Sequence, residues 1–255
     1  TDSPLMSDND TVDKLLFATE KGIPAIYTPC ALLGVTAPAS IAGMLVQTLA
    51  DALSTVVLCC LKKPGSPLLL GGIQSVMVQA KVAPSYGSPE LHLTSAAMTE
   101  IYKWLGLLSS SAGGCTDAKV VDEQAASESV MSIYNNLMAG TNLIHQVGCL
   151  DGGLTASLSS LVMCDEIIAM IKQIGKGIQV TDETLALDIL KEVGPGGEFL
   201  SHDHTYDHWK EWFRPTIIDR SNYEVWSNSG SKTYNDRLEP EVDRILESHA
   251  PEPLD

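Results

Sequence analysis

Short apolar runs alternate with longer amphipathic segments from the start of the chain to about residue 180. The short runs predict four strands, at residues 23–27, 67–71, 107–112 and 142–145. The longer segments predict five helices, at residues 8–21, 36–61, 88–106, 122–139 and 154–174. Strands and helices that alternate in this way are typical of a parallel sheet with right-handed crossovers. The pattern therefore predicts an α/β fold that begins with a helix.

The predicted strands are half of the eight that close a TIM barrel. Residues 1–197 therefore form either an open sheet or a fragment of a barrel. The chain begins with Thr1 rather than Met, and no signal peptide follows it. We accordingly expect a piece of a longer protein.

The character of the sequence changes after residue 197. Eight of the 14 aromatic residues fall between residues 199 and 234. We expect a separate, aromatic-rich helical tail over residues 198–255, with a helix at 239–249, that packs on the α/β body. The aromatic side chains expected to anchor it are Trp209, Trp212, Phe213, Tyr223 and Trp226.

The charge balance excludes some classes of partner. The chain has 16 basic and 32 acidic residues, a formal net charge of −16. This excess argues against nucleic acid or an anionic membrane as the main partner and is compatible with a cationic ligand. The longest apolar run, residues 44–61, is interrupted by Gln47 and Asp51, which predicts a buried helix rather than a membrane span. We expect a cytoplasmic protein.

The cysteines do not suggest a disulfide framework or a metal site. The chain has six of them, and no two have the CxxC spacing of a thiolate zinc site. We expect reduced thiols and no bound metal. The histidines of residues 202–208 resemble a metal cluster, but capping and packing explain them better, because a second set of ligands is missing.

The loops that follow the predicted strands are the segments in which to look for chemistry. Ligands of parallel α/β folds bind beyond the carboxyl ends of the strands, where loops and helix N-termini converge. The predicted loops are residues 28–36, 72–87, 113–121 and 146–153.

Two residues in these positions are candidates for a reaction pocket. Cys115 lies between two glycines and a helix whose N-terminus could lower the pKa of the thiol. It is either a pocket residue or a small buried residue at the top of a strand. His145 ends a strand and could donate hydrogen bonds or move protons, or it could simply hold its loop. The nearby Asp117 and Asp122 also fit a helix-entry cluster, with Asp122 as the cap.

Several motifs, in the same order, resemble the trimethylamine methyltransferase (MttB-like) family. They include Gly87-Ser88-Pro89-Glu90-Leu91, Thr116-Asp117-Ala118-Lys119-Val120, Asp122-Glu123-Gln124-Ala125 and Thr181-Asp182-Glu183-Thr184-Leu185-Ala186. The resemblance extends over nearly the whole chain and implies the C-terminal half of a corrinoid-dependent methyltransferase built on a TIM barrel. About half of the barrel strands would then lie in this chain.

The resemblance also implies roles for individual residues. Cys115 aligns with the pyrrolysine that holds the amine in the enzymes acting on trimethylamine. Because a thiol cannot replace that electrophile, the chain is similar to the non-pyrrolysine branch, which includes glycine betaine demethylases. His145 would be a second catalytic residue. The substrate-binding residues would be Asp51, on a helix facing the same loop, Tyr86, as an aromatic wall or a packing residue, Glu90 and Asp117.

The implied reaction moves a methyl group from a quaternary or tertiary methylamine, such as a betaine, to Co(I), a step of one-carbon metabolism and methanogenesis. The corrinoid would belong to a separate partner protein, so this chain would hold no cofactor. The alternative is a non-catalytic amine-binding module or an inactive fragment of such an enzyme. Because an incomplete barrel leaves strand edges uncovered, we also expect a homo-oligomer.

Overall fold

The computed structural model describes residues 5–78 and 83–254. Five long helices occupy the first two thirds of the chain: α1 (Asn9–Lys21), α2 (Ile41–Lys62), α3 (Pro89–Trp104), α4 (Glu123–Ala139) and α5 (Leu158–Gly175). Five more follow: α6 (Asp182–Leu185), α7 (Leu187–Val193), α8 (Asp203–His208), α9 (Tyr223–Asn228) and α10 (Asn235–Ser248). The strands are β1 (Ala25–Tyr27), β2 (Cys30–Leu33), β3 (Leu68–Leu70), β4 (Ile73–Val78), β5 (Ala83–Pro84), β6 (Leu108–Ala112), β7 (Leu143–His145), β8 (Cys149–Leu150) and β9 (Thr155–Ala156).

The central sheet contains the four strands that the apolar runs predict. Its order is β1-β3-β6-β7, and every pairing between neighbours is parallel. The predicted mixed α/β fold with a parallel sheet is therefore confirmed.

Local hydrogen bonding sets where the helices begin. Asp122 caps α4 by accepting the N–H of Ala125, as the sequence suggests. The predicted starts of two other helices are too early. The side chain of Ser40 caps α2, which begins at Ile41, and the side chain of Ser157 caps α5, which begins at Leu158.

A second sheet lies in two segments that the sequence presents as loops, 28–36 and 72–87. Strands β2 and β4 pair in parallel, and β5 adds to β4 in the antiparallel direction. Ala25 is paired with Leu68 and Cys30 with Ile73, so β1–β2 and β3–β4 keep one register across both sheets. Proline and glycine at the two breaks conceal this continuity. Residues 79–82 of the predicted second loop lie outside the described part.

The two faces of the central sheet differ in what covers them. One face carries Tyr27 and Leu70, which pack with Met98 and Tyr102 of α3 in a buried cluster. The opposite face, which we call the inner face, holds a row formed by Ile26, Leu69 and Leu108, together with Leu143. Ile26 is 49% exposed, Leu108 51% and Leu143 39%. In the described residues, the helices thus cover one side of the sheet and leave an apolar inner face open.

Helix α2, predicted as a buried helix, is buried along one face and exposed along the other. Met44, Ala52 and Cys59 lie in the interior, whereas Val46 and Leu61 are exposed. By length and composition alone, α2 is the one helix of the described chain that could cross a membrane. Of its most apolar stretch of 18 residues, 33% is buried.

The tail is held to the body mainly by aliphatic residues and one carboxylate. Ile217 and Leu238 are buried in the cluster formed by α4 and α5. Glu166 of α5 accepts hydrogen bonds from the backbone N–H groups of residues 216–218. The predicted aromatic anchoring is wrong for Trp212, which is 65% exposed, and Tyr223, which is 78% exposed. In the described chain, Ile217 and Leu238 fill the space beside α4 and α5, and Tyr234 packs against them.

Candidate functional site

Cys115 and His145 lie at the same edge of the central sheet. His145 ends β7, where it pairs with Ala112, the last residue of β6. The backbone N–H of Gly113 then bonds the carbonyl of His145 at 3.0 Å. Because the two strands are parallel, the loop with Cys115 and the His145 side chain both emerge at their carboxyl ends.

Burial governs the chemistry of the Cys115 thiol. Cys115 is 1% exposed and packs with Tyr86, Leu91 and Ala112. This burial strongly raises the pKa of the thiol, so the thiol is protonated at neutral pH. The expected lowering by a helix N-terminus is therefore wrong: α4 begins only at Glu123, after an intervening loop. A protonated thiol is a poor nucleophile, because the thiolate is the reactive form.

The His145 imidazole is half-buried at the same edge. Its side chain lies on the inner face, as does that of Leu143 two residues earlier. Burial lowers the pKa of His145 from its ordinary value, which leaves the ring neutral at pH 7. A neutral ring carries one N–H donor and one acceptor nitrogen.

Asp117 holds the loop that carries Tyr86. Its carboxylate accepts hydrogen bonds from the Ser85 hydroxyl, from Tyr86 N–H at 2.9 Å and from Gly87 N–H at 3.2 Å. These three donors occupy the carboxylate on the loop side. The structure thus shows that Asp117 positions the neighbouring loop. Asp117 also lines a cleft that is described below.

Glu128 of α4 is a second positioning carboxylate that the sequence does not reveal. Its Oε2 accepts the Thr116 hydroxyl at 2.5 Å and Asp117 N–H at 2.7 Å. A Cβ on Gly87 would lie 2.3 Å from Glu128 Cδ, so any side chain there would displace the Glu128 carboxylate from its hydrogen bonds. The Gly87 of the shared motif is the one signal that could have pointed to this close approach.

Tyr86 and Gln146 form a polar contact beside Cys115. Tyr86 is buried, and this burial raises the pKa of its hydroxyl. Gln146 Nε2 donates to the Tyr86 hydroxyl oxygen at 3.3 Å. Sequence reasoning missed Gln146, which directly follows His145 and adopts a left-handed φ of 65°.

A glycine turn covers these side chains. A Cβ on Gly153 would lie 3.9 Å from both Cys115 Sγ and Gln146 Nε2, and 4.0 Å from Tyr86 Cε2. The neighbouring Gly152 borders a cleft of about 450 Å³. The cleft is lined by Ala83, Pro84, Asp117, Lys119, Asp151, Gly152 and Leu154. We call the group formed by Tyr86, Cys115, Gln146 and Gly153 the rim site. Because Gly152 borders the cleft, the rim site adjoins an open space.

The remaining predicted site residues lie on helices rather than in the rim site. Asp51 is buried on α2, which packs against α1, α3 and the β2–β4 sheet. Glu90 is half-buried in the first turn of α3, directly after the loop that Asp117 holds.

The histidines of residues 202–208 have structural contacts, as expected. His202 Nδ1 caps α8 by accepting His204 N–H at 3.1 Å, and His208 contacts Glu211 at 3.1 Å. In the part of the chain that the structure describes, no group of three or more potential ligand side chains could hold a metal ion.

Comparisons with known proteins agree on one family. The family model "Trimethylamine methyltransferase (MTTB)" matches residues 1–255. The chain is 36% identical to trimethylamine methyltransferase MttB of Desulfitobacterium hafniense strain DSM 10664 / DCB-2, over 99% of this chain and 51% of that protein. It is 32% identical to glycine betaine methyltransferase of D. hafniense strain Y51, over 99% and 53% respectively. It is 34% identical to trimethylamine methyltransferase MttB of Methanosarcina thermophila, over 99% of this chain and 52% of that protein. The chain spans about half the length of these relatives.

Proposed function

The chain belongs to the trimethylamine methyltransferase family, and from this premise we propose that the whole protein transfers a methyl group from a methylamine to a corrinoid protein. The donor is a quaternary or tertiary methylamine such as a betaine, and the acceptor is the Co(I) of the partner protein in the cytoplasm. The names of the relatives, trimethylamine and glycine betaine methyltransferases, support both donor classes. The corrinoid is a substrate carried by the partner.

We further propose that residues 1–197 supply half of a TIM barrel. The parallel order β1-β3-β6-β7, the helices on one face and the open apolar inner face all support this fold. Barrel interiors are filled by side chains such as those of Ile26, Leu108 and Leu143. The other half of the protein would then cover the inner face, with the tail of residues 198–255 on the outside.

One observation supports this reaction most directly. Tyr86, Cys115 and Gln146 lie together beside His145 at the carboxyl edge of the sheet. Its groups are neutral: burial keeps the thiol protonated and the imidazole uncharged. Such a site suits a displacement that needs no proton transfer to or from the donor. In a donor that already carries a positive charge, a quaternary ammonium or a protonated tertiary amine, the N–CH₃ bond breaks with its electron pair left on nitrogen. A neutral amine therefore leaves, and the methyl carbon bonds to the electron pair of Co(I).

The protein's contribution would be orientation and the exclusion of water. The Tyr86 ring could attract a methylammonium by a cation–π contact worth ~0.5–2 kcal/mol. The Cys115 thiol at the aligned pyrrolysine position fills space without covalent chemistry, which supports the non-pyrrolysine branch. His145 would orient the donor through its N–H or its acceptor nitrogen.

The direct test is demethylation by the complete protein with a Co(I) corrinoid protein and a panel of methylamines. We expect an absorbance change from Co(I) to methyl-Co(III) with at least one amine. His145→Ala should slow this reaction, whereas the matched variant His249→Ala, at an exposed histidine after α10, should not. The absence of any methyl-Co(III) signal across the panel would refute the proposal and favour an amine-binding module.

A further inference from the structure

The outward face of α2 is apolar and carries no charge. Val46 is 70% exposed, Leu53 36% and Val57 56%. Between residues 41 and 61 the only charged side chain is that of Asp51, which is buried on the face that packs on the body. A surface helix normally presents charged and polar side chains to solvent. An apolar outward face therefore indicates a contact that the described residues do not supply.

The exposed positions of α2 follow the spacing of a helix that packs lengthwise on another helix. Val46, Ala50, Leu53, Val57 and Cys60 are all exposed, and the steps between them are four, three, four and three residues. We call these five residues the outer stripe. Such a spacing keeps one row of side chains facing a partner helix along several turns. The outer stripe therefore fits a helix better than a loop or a small ligand.

The outer stripe lies outside the proposed barrel. Helix α2 packs between α1 and α3 and contacts β2 and β4 on its inward side. The strands that complete the barrel would join the central sheet at its two edges, β1 and β7. Closing the barrel in this way covers the inner face and leaves the outer stripe exposed. The occupant therefore comes from outside this barrel.

Charge and side-chain size favour a second copy of the protein as the occupant. The chain has a net charge of −16, so two copies repel each other least where neither carries a charge, as at the outer stripe. If two copies of α2 pack antiparallel with Leu53 at their two-fold axis, Val46 lies opposite Cys60 and Ala50 opposite Val57. Each valine then meets a smaller side chain, so the two rows interdigitate. A parallel pair would instead set valine against valine and alanine against alanine.

We propose that the outer stripe is a dimer interface, in which α2 packs antiparallel against α2 of a second copy about a two-fold axis at Leu53. The contact is isologous, since each copy contributes the same residues. An area of about 400 Å² belongs to the exposed parts of Val46, Leu53, Val57 and Leu61, which is half of the roughly 800 Å² that each partner of a stable dimer contributes. The flanking outer faces of α1 and α3 supply the rest; Phe17 of α1, for example, is 59% exposed.

The test is sedimentation of the complete protein, in which the other half covers the inner face. We expect Leu53→Glu to halve the sedimenting mass and to weaken the association roughly hundredfold, because two like charges then meet across the axis. Met138→Glu is the matched control. Met138 is 62% exposed on α4, which lies beyond α3, so this variant should keep the wild-type mass.

A charge-exchange experiment guards against misfolding and tests the second copy directly. Leu53→Glu and Leu53→Lys should each sediment at half the wild-type mass when alone. Mixed in equal amounts, they should return to the wild-type mass, because residue 53 of one copy faces residue 53 of the other and the charges are then opposite. A variant that had lost its fold could not be restored by mixing.

Three outcomes would overturn the proposal. The first is a complete wild-type protein that sediments as a monomer; if it also binds phosphatidylcholine vesicles through Leu53, a membrane surface is the occupant. The second is a Leu53→Glu variant that keeps the wild-type mass. The third is a loss of mass in both charged variants that mixing does not restore, which would show that the outer stripe contacts a different surface.

Discussion

The contact between Glu166 and the tail offers a quantitative test of how this chain holds together. Glu166 lies buried on α5, and its two oxygens accept N–H groups from Thr216, Ile217 and Ile218. The Tyr234 hydroxyl also approaches Oε2 at 3.5 Å. Glu166→Ala removes every one of these acceptors at once.

The cost can be worked out group by group. Ile217 is buried, so its N–H left without an acceptor costs about 1–3 kcal/mol. Ile218 is half-buried and adds about 1 kcal/mol, whereas Thr216 is exposed and can bond water. The sum is about 3 kcal/mol, a roughly hundredfold change in an opening equilibrium. Because water can reach the three N–H groups once the segment lifts away, we expect local detachment rather than global unfolding.

Hydrogen exchange is the appropriate assay. The amides of Ile217 and Ile218 should exchange roughly a hundredfold faster in Glu166→Ala, while amides of β6 and β7 keep their wild-type rates. Asp165→Ala, at the exposed neighbour on α5, is the matched control and should change neither group. Equal exchange rates in the Glu166 and Asp165 variants would show that the carboxylate does not hold the tail.

Three further predictions concern the rim site, pH and the inner face. Cys115→Ser should bind methylamines within about threefold of wild type, because the protonated thiol acts as a wall rather than a nucleophile, and loss of transfer with intact binding would contradict this. Burial lowers the pKa of both His92 and His145, so the folded protein binds fewer protons than the unfolded chain and loses stability as pH falls below about 6.5. Denaturant titrations at several pH values should show this fall in the free energy of unfolding, and the fall should be smaller in His92→Gln. An equal fall in His92→Gln and wild type would refute the role of His92. The chain on its own should self-associate through the inner face, and Leu108→Glu should shift sedimentation towards the monomer, whereas a wild-type monomer would refute this.

Alternation of apolar and amphipathic segments was sufficient to predict the central sheet. Strands β1, β3 and β7 are short, largely apolar runs, and β6 is a run of small residues with three serines. The parallel order follows from the helices between the strands. The second sheet could not be predicted in this way. Pro29, Gly71 and Gly72 interrupt the runs and are typical of loops, yet the chain resumes the same register on both sides of them. Only the long-range pairing of two distant segments reveals these strands.

The site was predictable in part for a similar reason. Cys115 and His145 follow strands, and parallel topology alone brings the ends of those strands to one edge. Gln146 and Glu128 act through contacts with Tyr86 and Gly87, more than 40 residues away in the chain. The protonation of the Cys115 thiol depends on how completely its neighbours bury it. Apart from Gly87, neither the distant contacts nor the burial has a local signature in the sequence.

The measurement that tests the central claim most directly follows the methyl carbon itself. The complete protein is mixed with a Co(I) corrinoid protein and a ¹³C-methyl-labelled amine, and the label is followed by NMR in a single turnover. Our account predicts that one labelled methyl group per turnover leaves nitrogen and appears bonded to cobalt. Label that stays on the amine for every donor tested, despite binding at the rim site, would contradict it.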